Sequence, residues 1–236
     1  MQEEWMLRVI AHIENDYTEK FGVPRQSGMV KKQQASIVFL PEYRDINALR
    51  GLEGYSHLWL LWGFHQNHCR QWAPMVKPPR LGGNKRMGVF ATRSPNRPNP
   101  IGLSSVQLDG IQQQEGKGNV LLVSGADLVN GTPIYDIKPY LSFTDSHPEA
   151  RNGFADAALE YRLQVDCNEL LLAEVPLGKR EALLEILAMD PRPAYHHDPK
   201  TPYGLSYGGF EVRFTVKDGV LTVLQILPQE EAGRIK

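Results

Sequence analysis

A mainly β fold, a barrel or sandwich followed by a small α+β unit, is what this sequence predicts, and three observations carry it. Short runs rich in β-branched and aromatic residues fill the first two-thirds of the chain. Turn residues separate these runs, and no amphipathic helix intervenes, which argues against a doubly wound sheet. A helical pattern and a closing hairpin follow only after residue 150.

The predicted strands are Trp5 to Ile13, Ser36 to Leu40, His57 to Phe64, Met87 to Thr92, Gly102 to Ile111 and Val120 to Ser124. Gly22, Pro24, Gly28, Pro41, Gly51 and Gly54 break them, and Gly116-Lys117-Gly118-Asn119 is a hairpin signal. Ser142 to Asp156 is rich in Ser, Asp, Pro, Gly and Asn, so residues 1–145 are expected to form one β domain and 150–236 a second, smaller one. Beyond that change, Leu159 to Val165 alternates as a strand does. Gly178 to Met189 reads as a helix, with Leu183/Leu187 and Leu184/Ala188 one turn apart. Asp190-Pro191 stops it, because proline donates no amide and clashes with the preceding turn. Phe210 to Val216 and Val220 to Leu227 close the chain through the turn Lys217-Asp218-Gly219.

The composition, 42% hydrophobic and 22% charged, is that of a soluble globular protein. No apolar run approaches the roughly 20 residues of a membrane-spanning helix. The first residues lack the basic and apolar regions of a secretory signal. Cys69 and Cys167 form no CxxC, so neither a disulfide framework nor a zinc site is expected, and the cytoplasm is the expected compartment. A metal set built on His65 and His68, or on His196 and His197, lacks a carboxylate or thiol at suitable spacing.

Charge is distributed unevenly. The formal net charge is only -1, yet between Glu53 and Asp109 there is no carboxylate at all. That window holds Arg70, Lys77, Arg80, Lys85, Arg86, Arg93 and Arg97, so the rest of the chain is acidic on balance. A local cationic surface on such a protein fits a polyanion or a phosphate-bearing ligand. Arg93 and Arg97 lie four residues apart in a stretch stiffened by Pro95, Pro98 and Pro100, and can present guanidinium forks to phosphate or carboxylate. Asp190-Pro191-Arg192-Pro193-Ala194-Tyr195 is a second stiffened turn. Arg192 is expected on a nucleic-acid phosphate and Tyr195 under an unstacked base. The chain has no GxxxxGK[ST], HExxH or GxSxG, and no GxGxxG after a strand, so a nucleotide-like cofactor would not be held by a Rossmann grip.

Several irregular strings in this chain resemble the TsaA-like, or TrmO, family. They are Arg80-Leu81-Gly82-Gly83-Asn84, Gly88-Val89-Phe90-Ala91-Thr92-Arg93-Ser94-Pro95 and Arg97-Pro98-Asn99-Pro100-Ile101-Gly102. The likeness continues in Pro24-Arg25-Gln26, Leu52 to Trp59, Phe64-His65-Gln66, Asp127 to Pro133 and Asp136 to Tyr140, and reaches Asp190 to Tyr195. The resemblance implies a single-sheeted antiparallel β-barrel that binds S-adenosylmethionine, a small C-terminal domain and a homodimer. It also implies methylation of N6 of threonylcarbamoyladenosine beside the anticodon of threonine tRNA. By the same resemblance the cofactor would lie among Pro24, Arg25, Gln26, Ser27, His65, Gln66, Arg93, Ser105, Asp127, Leu128, Val129 and Asn130. Asn130 departs from an aspartate common in the family, and Asn96 from an aromatic.

For such a reaction Asp136, Asp190 and Tyr195 are the expected catalytic candidates, with Tyr140 helping to position the base. Arg86, Arg97, Lys138 and Arg192 are expected to hold the phosphates of the anticodon loop. His65 is open to two readings, a ligand contact or a packing residue at a strand end. The same residues also fit an RNA-binding module without catalysis, or an enzyme acting on a small anionic metabolite.

Overall fold

In a computed structural model of the chain, the described residues are 4–67, 72–78, 85–158, 161–192, 198 and 201–232. The elements in chain order are β1 (Ala11–Glu14), β2 (Gln34–Phe39), β3 (His57–Gly63), β4 (Met75–Val76), β5 (Met87–Gly88), β6 (Ile101–Gln114), β7 (Gly118–Ser124) and β8 (Pro133–Pro139). After them come α1 (Ser142–Asp145), β9 (Gln164–Asp166), α2 (Glu169–Ala173), α3 (Leu177–Ala188), β10 (Tyr203–Tyr207), β11 (Phe210–Lys217), β12 (Val220–Pro228) and α4 (Gln229–Ala232).

The sheet runs β1-β2-β7-β6-β3-β8, and β8 pairs back onto β1, so the six antiparallel strands close on themselves. Alternation sets the two faces. Ala35, Ile37 and Phe39 of β2 turn inward with Leu58, Leu60 and Trp62 of β3 and Ala11 and Ile13 of β1. β6 is long because its first half pairs with β3 and its second half with β7, and a register shift between Leu108 and Gly110 lets it bend from one to the other.

A second sheet, in the order β10-β11-β12-β9, packs against α3 through Ala182, Leu183, Ile186 and Leu187. Tyr17 and Val30, from the loop between β1 and β2, are buried in that second core. The polypeptide of the first unit therefore supplies part of the hydrophobic surface of the second.

Four expectations are corrected here. The first strand begins at Ala11 rather than Trp5; Trp5 and Met6 are exposed, and backbone pairing toward β2 and β8 starts with Ile10 and Ala11. Met87 to Thr92 is a strand for only two residues, because Val89–Ala91 turns into a 3-10 helix. The strand expected at Leu159 to Val165 is β9, Gln164–Asp166, with 159 and 160 outside the described residues. Pro133–Pro139, β10 and α2 were not expected at all. Among the described residues no helix is long and apolar enough to cross a membrane.

Candidate active site

Antiparallel pairing brings the loop after β1, the end of β3, the start of β6 and the loop after β7 to one mouth of the closed sheet. There they enclose a cleft of about 600 Å³, within the roughly 300–1,000 Å³ of small-molecule sites. Its walls are Lys20 and Val23 to Gln26, Trp59 and Trp62 to Asn67, Thr92, Arg93, Pro95 and Arg97, Ile101 to Leu103, and Asp127 with Val129 and Thr132.

The floor is a hydrogen-bonded chain. The Trp62 indole N–H donates to Ser104 Oγ at 2.9 Å, and Ser104 Oγ–H donates to Asp127 Oδ1 at 2.5 Å. The backbone amide of Ser27 also meets this carboxylate. Burial raises the Asp127 pKa above the ordinary carboxylate value, against the pull of Ser104, the backbone amides and the Arg93 charge. Gly102 makes room for Trp62: a Cβ on Gly102 would lie 2.2 Å from the indole ring. Glycine is required there by close approach rather than by backbone conformation.

The rim is cationic and cross-linked. Arg93 donates to Gln26 Oε1 across the cleft, joining the loop after β1 to the segment before β6. Lys20 Nζ donates to the Gln66 carbonyl at 2.6 Å, and Asn67 Nδ2 donates to the Pro95 carbonyl at 3.1 Å. The Thr92–Arg97 segment is fastened by its own side chains. Thr92 Oγ1 donates to Val89 O at 2.8 Å, and the amides of Ser94 and Asn96 donate to Thr92 Oγ1 and Ser94 Oγ at 3.3 and 3.2 Å. His65 stands exposed on this rim; partial burial, then the charges of His12 and Lys20, hold its imidazole below the ordinary histidine value.

The same architecture occurs in proteins already characterised. Residues 12–146 match the tRNA-methyltransferase O N-terminal domain and residues 160–229 the TrmO C-terminal domain. The chain belongs to the TrmO family. It is 44% identical over 229 residues to the tRNA (adenine(37)-N6)-methyltransferase of Escherichia coli K12, covering 93% of this chain and 97% of that protein. It is 42% identical to the enzyme of the same description from Eikenella corrodens, covering 75% of this chain and 99% of that one. A crystal structure of TrmO from Pseudomonas aeruginosa superposes with a TM-score of 0.77 at 33% identity, covering 97% and 99% of the two chains.

Of the residues expected at a cofactor, Pro24, Arg25, Gln26, His65, Gln66, Arg93, Asp127 and Val129 converge on the cleft, and Arg97 joins them at its lip. Ser27 reaches it through its backbone amide. Three others are placed differently. Leu128 is fully buried in the barrel core, and its carbonyl accepts from Asn15 Nδ2 at 2.7 Å. Asn130 Oδ1 accepts from the Asn15 amide at 3.0 Å, so its side chain ties the loop to β1. Ser105 alternates to the opposite face from Ser104, the serine that meets Asp127 and that sequence reasoning missed.

The expected catalytic and phosphate residues scatter further. Asp136 lies outside the cleft, ion-paired with Lys138 Nζ at 2.9 Å, and Lys138 itself is exposed. Asp190 lines a smaller neighbouring cavity of about 210 Å³ with Pro24 and Arg25. Its carboxylate receives Arg192 Nε at 2.8 Å and a second Arg192 nitrogen at 2.9 Å, and accepts from the Tyr161 hydroxyl at 3.1 Å. Burial pushes the Asp190 pKa up, but the Arg192 hydrogen bonds and charge outweigh it and hold the group below the ordinary value. A carboxylate so held is a poor proton acceptor. Arg192 is buried at 8% exposure, with its guanidinium against Asp190 and over the Tyr203 ring, and does not face solvent as a phosphate contact would. Tyr140 packs on Trp59 at 5.5 Å. Arg86 is exposed. Tyr195, His68, His196, His197, Arg70 and Arg80 lie outside the described residues.

Proposed function

We propose that this chain transfers a methyl group from S-adenosylmethionine to N6 of threonylcarbamoyladenosine at position 37 of threonine tRNA, as a cytoplasmic homodimer. The observation that carries the reading is the cleft: a buried carboxylate on its floor, guanidinium groups on its rim, and a cationic, carboxylate-free segment leading up to it. The family membership, and relatives described as tRNA (adenine(37)-N6)-methyltransferases, support the same activity.

The donor set fits the proposed cofactor. A zwitterionic nucleoside with a sulfonium needs a cation for its carboxylate, an anion near its positive end, and apolar surface with backbone donors for its base. Arg25 and Arg93 supply the first, Asp127 the second, and Trp62, Val23 and Val129 with the loop backbone the third. Bound S-adenosylmethionine would supply an electrophilic methyl group. The protein's residues hold and align the acceptor, an effect worth up to roughly 7–11 kcal/mol in favourable cases. As N6 gains its methyl group it sheds a proton, and His65 is placed to take it at its unprotonated ring nitrogen. The side chain lies on the cleft wall, is exposed, and is neutral at physiological pH because its pKa is lowered. Ile101 and Leu103, exposed apolar side chains at the edge of the same cleft, support association of two copies there.

The test is direct. Purified protein is incubated with S-adenosylmethionine and tRNA carrying threonylcarbamoyladenosine, and the nucleosides are resolved by mass spectrometry. One added methyl group on the hypermodified adenosine is expected; its absence overturns the proposal. For His65, replacement by Gln should lower kcat about 10²-fold and leave cofactor affinity intact. It should also abolish an acidic limb in the rate profile whose midpoint falls below about 6.5, the ordinary histidine value. An unaltered profile assigns the proton elsewhere.

A further inference from the structure

The methyl-transfer reading leaves unexplained a pair of aromatic side chains beside the cleft. Trp72 and Phe90 remain 51% and 73% exposed, with ring centroids 6.5 Å apart and planes 25° from parallel. The guanidinium carbon of Arg97, itself on the cleft wall, lies 6.0 Å from the Phe90 centroid. Isolated exposed apolar residues are ordinary, but a grouped aromatic patch on a braced support marks a contact surface.

The support is braced. β4 pairs with β5, matching Met75 to Gly88 and Val76 to Met87, and the Val89 amide donates to Pro74 O at 2.9 Å. Val89 is buried at 1% exposure and anchors the 3-10 turn from which Phe90 projects. Thr92 fastens the same turn from its other end.

Charge decides what such a surface would receive. Lys77 directly follows β4, Lys85 and Arg86 directly precede β5, all three are exposed, and no carboxylate occurs between Glu53 and Asp109. A symmetric contact with a second copy places the same patch on both sides, bringing like charges together. Single-stranded RNA brings phosphates for the cations and a flat base for the rings.

We propose that Trp72, Phe90 and Arg97 form a stacking platform for an unpaired nucleobase of the RNA substrate, next to the base that enters the cleft. This rests on the reading of the cleft as a tRNA methyltransferase site. The platform positions the RNA and leaves the cofactor untouched.

The test compares Phe90→Ala and Trp72→Ala with the wild type, using S-adenosylmethionine and tRNA carrying threonylcarbamoyladenosine. Each variant should raise KM for tRNA about tenfold, the effect of losing one base–aromatic stack. Cofactor affinity by calorimetry, melting temperature and mass in solution should stay unchanged, and Phe90→Tyr should restore KM. The salt slope of tRNA binding should also be preserved, whereas Arg86→Ala lowers it by about one counterion. Wild-type KM in both alanine variants overturns the platform. A drop in mass in solution overturns it as well, by assigning the patch to a second copy. A wild-type protein that methylates no tRNA defeats the underlying function instead, so the two failures are told apart.

Discussion

Two proline-bearing arginine turns read alike in the sequence and end in opposite states. Ser94-Pro95-Asn96-Arg97-Pro98, with Arg93 just before it, lines the cleft with guanidinium groups that meet neutral partners, Gln26 for Arg93 and the Phe90 face for Arg97. Asp190-Pro191-Arg192 folds its arginine into the protein, where both Asp190 oxygens hold it. The difference is one carboxylate two residues upstream. Where a rigid turn contains its own counter-charge, the arginine is satisfied internally and becomes structural. Where the turn carries no carboxylate of its own, and Asp127 acts on Arg93 only as a nearby charge, the donors stay available to a ligand.

The largest test of this contrast replaces the counter-charge. Asp190 adopts φ 54°, a left-handed conformation that Asn also tolerates, so Asp190→Asn removes the charge and spares the backbone. It leaves the buried Arg192 uncompensated and should destabilise the protein by about 3 kcal/mol in urea unfolding. Because the folded-state pKa of Asp190 is depressed, its contribution is present above the ordinary carboxylate value near 4 and is lost as pH falls through the lower folded value. The gap between wild type and variant should therefore close in strong acid; a gap independent of pH would mean that the ion pair is not its source.

The opposite turn should show the opposite pattern. Arg93→Ala should lower kcat/KM about 10²–10³-fold, the range for loss of one charge-stabilising donor, with an unchanged melting temperature. Near-normal turnover would remove Arg93 from the site. A smaller effect is expected on the cleft floor. Asp127→Asn should weaken S-adenosylmethionine binding about 10- to 100-fold by calorimetry. The raised pKa of Asp127 means that ionising it works against folding as pH rises, so the variant without cofactor should melt higher than wild type at neutral pH. A lower melting temperature would recast Asp127 as a structural acceptor for Ser104 and Ser27.

Legibility along the chain followed the range of the forces involved. The helix expected at Gly178 to Met189 is α3, Leu177–Ala188, and the closing hairpin runs through Lys217 and Val220, because periodicity and turn chemistry act over neighbouring residues. Pro133–Pro139 escaped notice because prolines bound it and Asp and Lys interrupt it; it is a strand because β1 and β3 both present it with partners. Ser104, which meets Asp127, lies one residue from the expected Ser105, a step that in a strand exchanges the inner face for the outer. Asn15 gave no signal at all, yet it holds Leu128 O and Asn130 Oδ1 and so sets the loop that carries Asp127.

Residue order alone established a β-rich chain, its later helix, the carboxylate-free cationic stretch and the strings that mark its family, since each depends on neighbours within a few positions or on a run read directly. Which arginines line the cleft, which serine meets the buried aspartate, and the convergence of four distant segments on one mouth were settled only by folding. Those outcomes depend on strand register and on partners far along the chain, such as Gln26 for Arg93 and Ser104 for Asp127, and no local pattern encodes a distance between them.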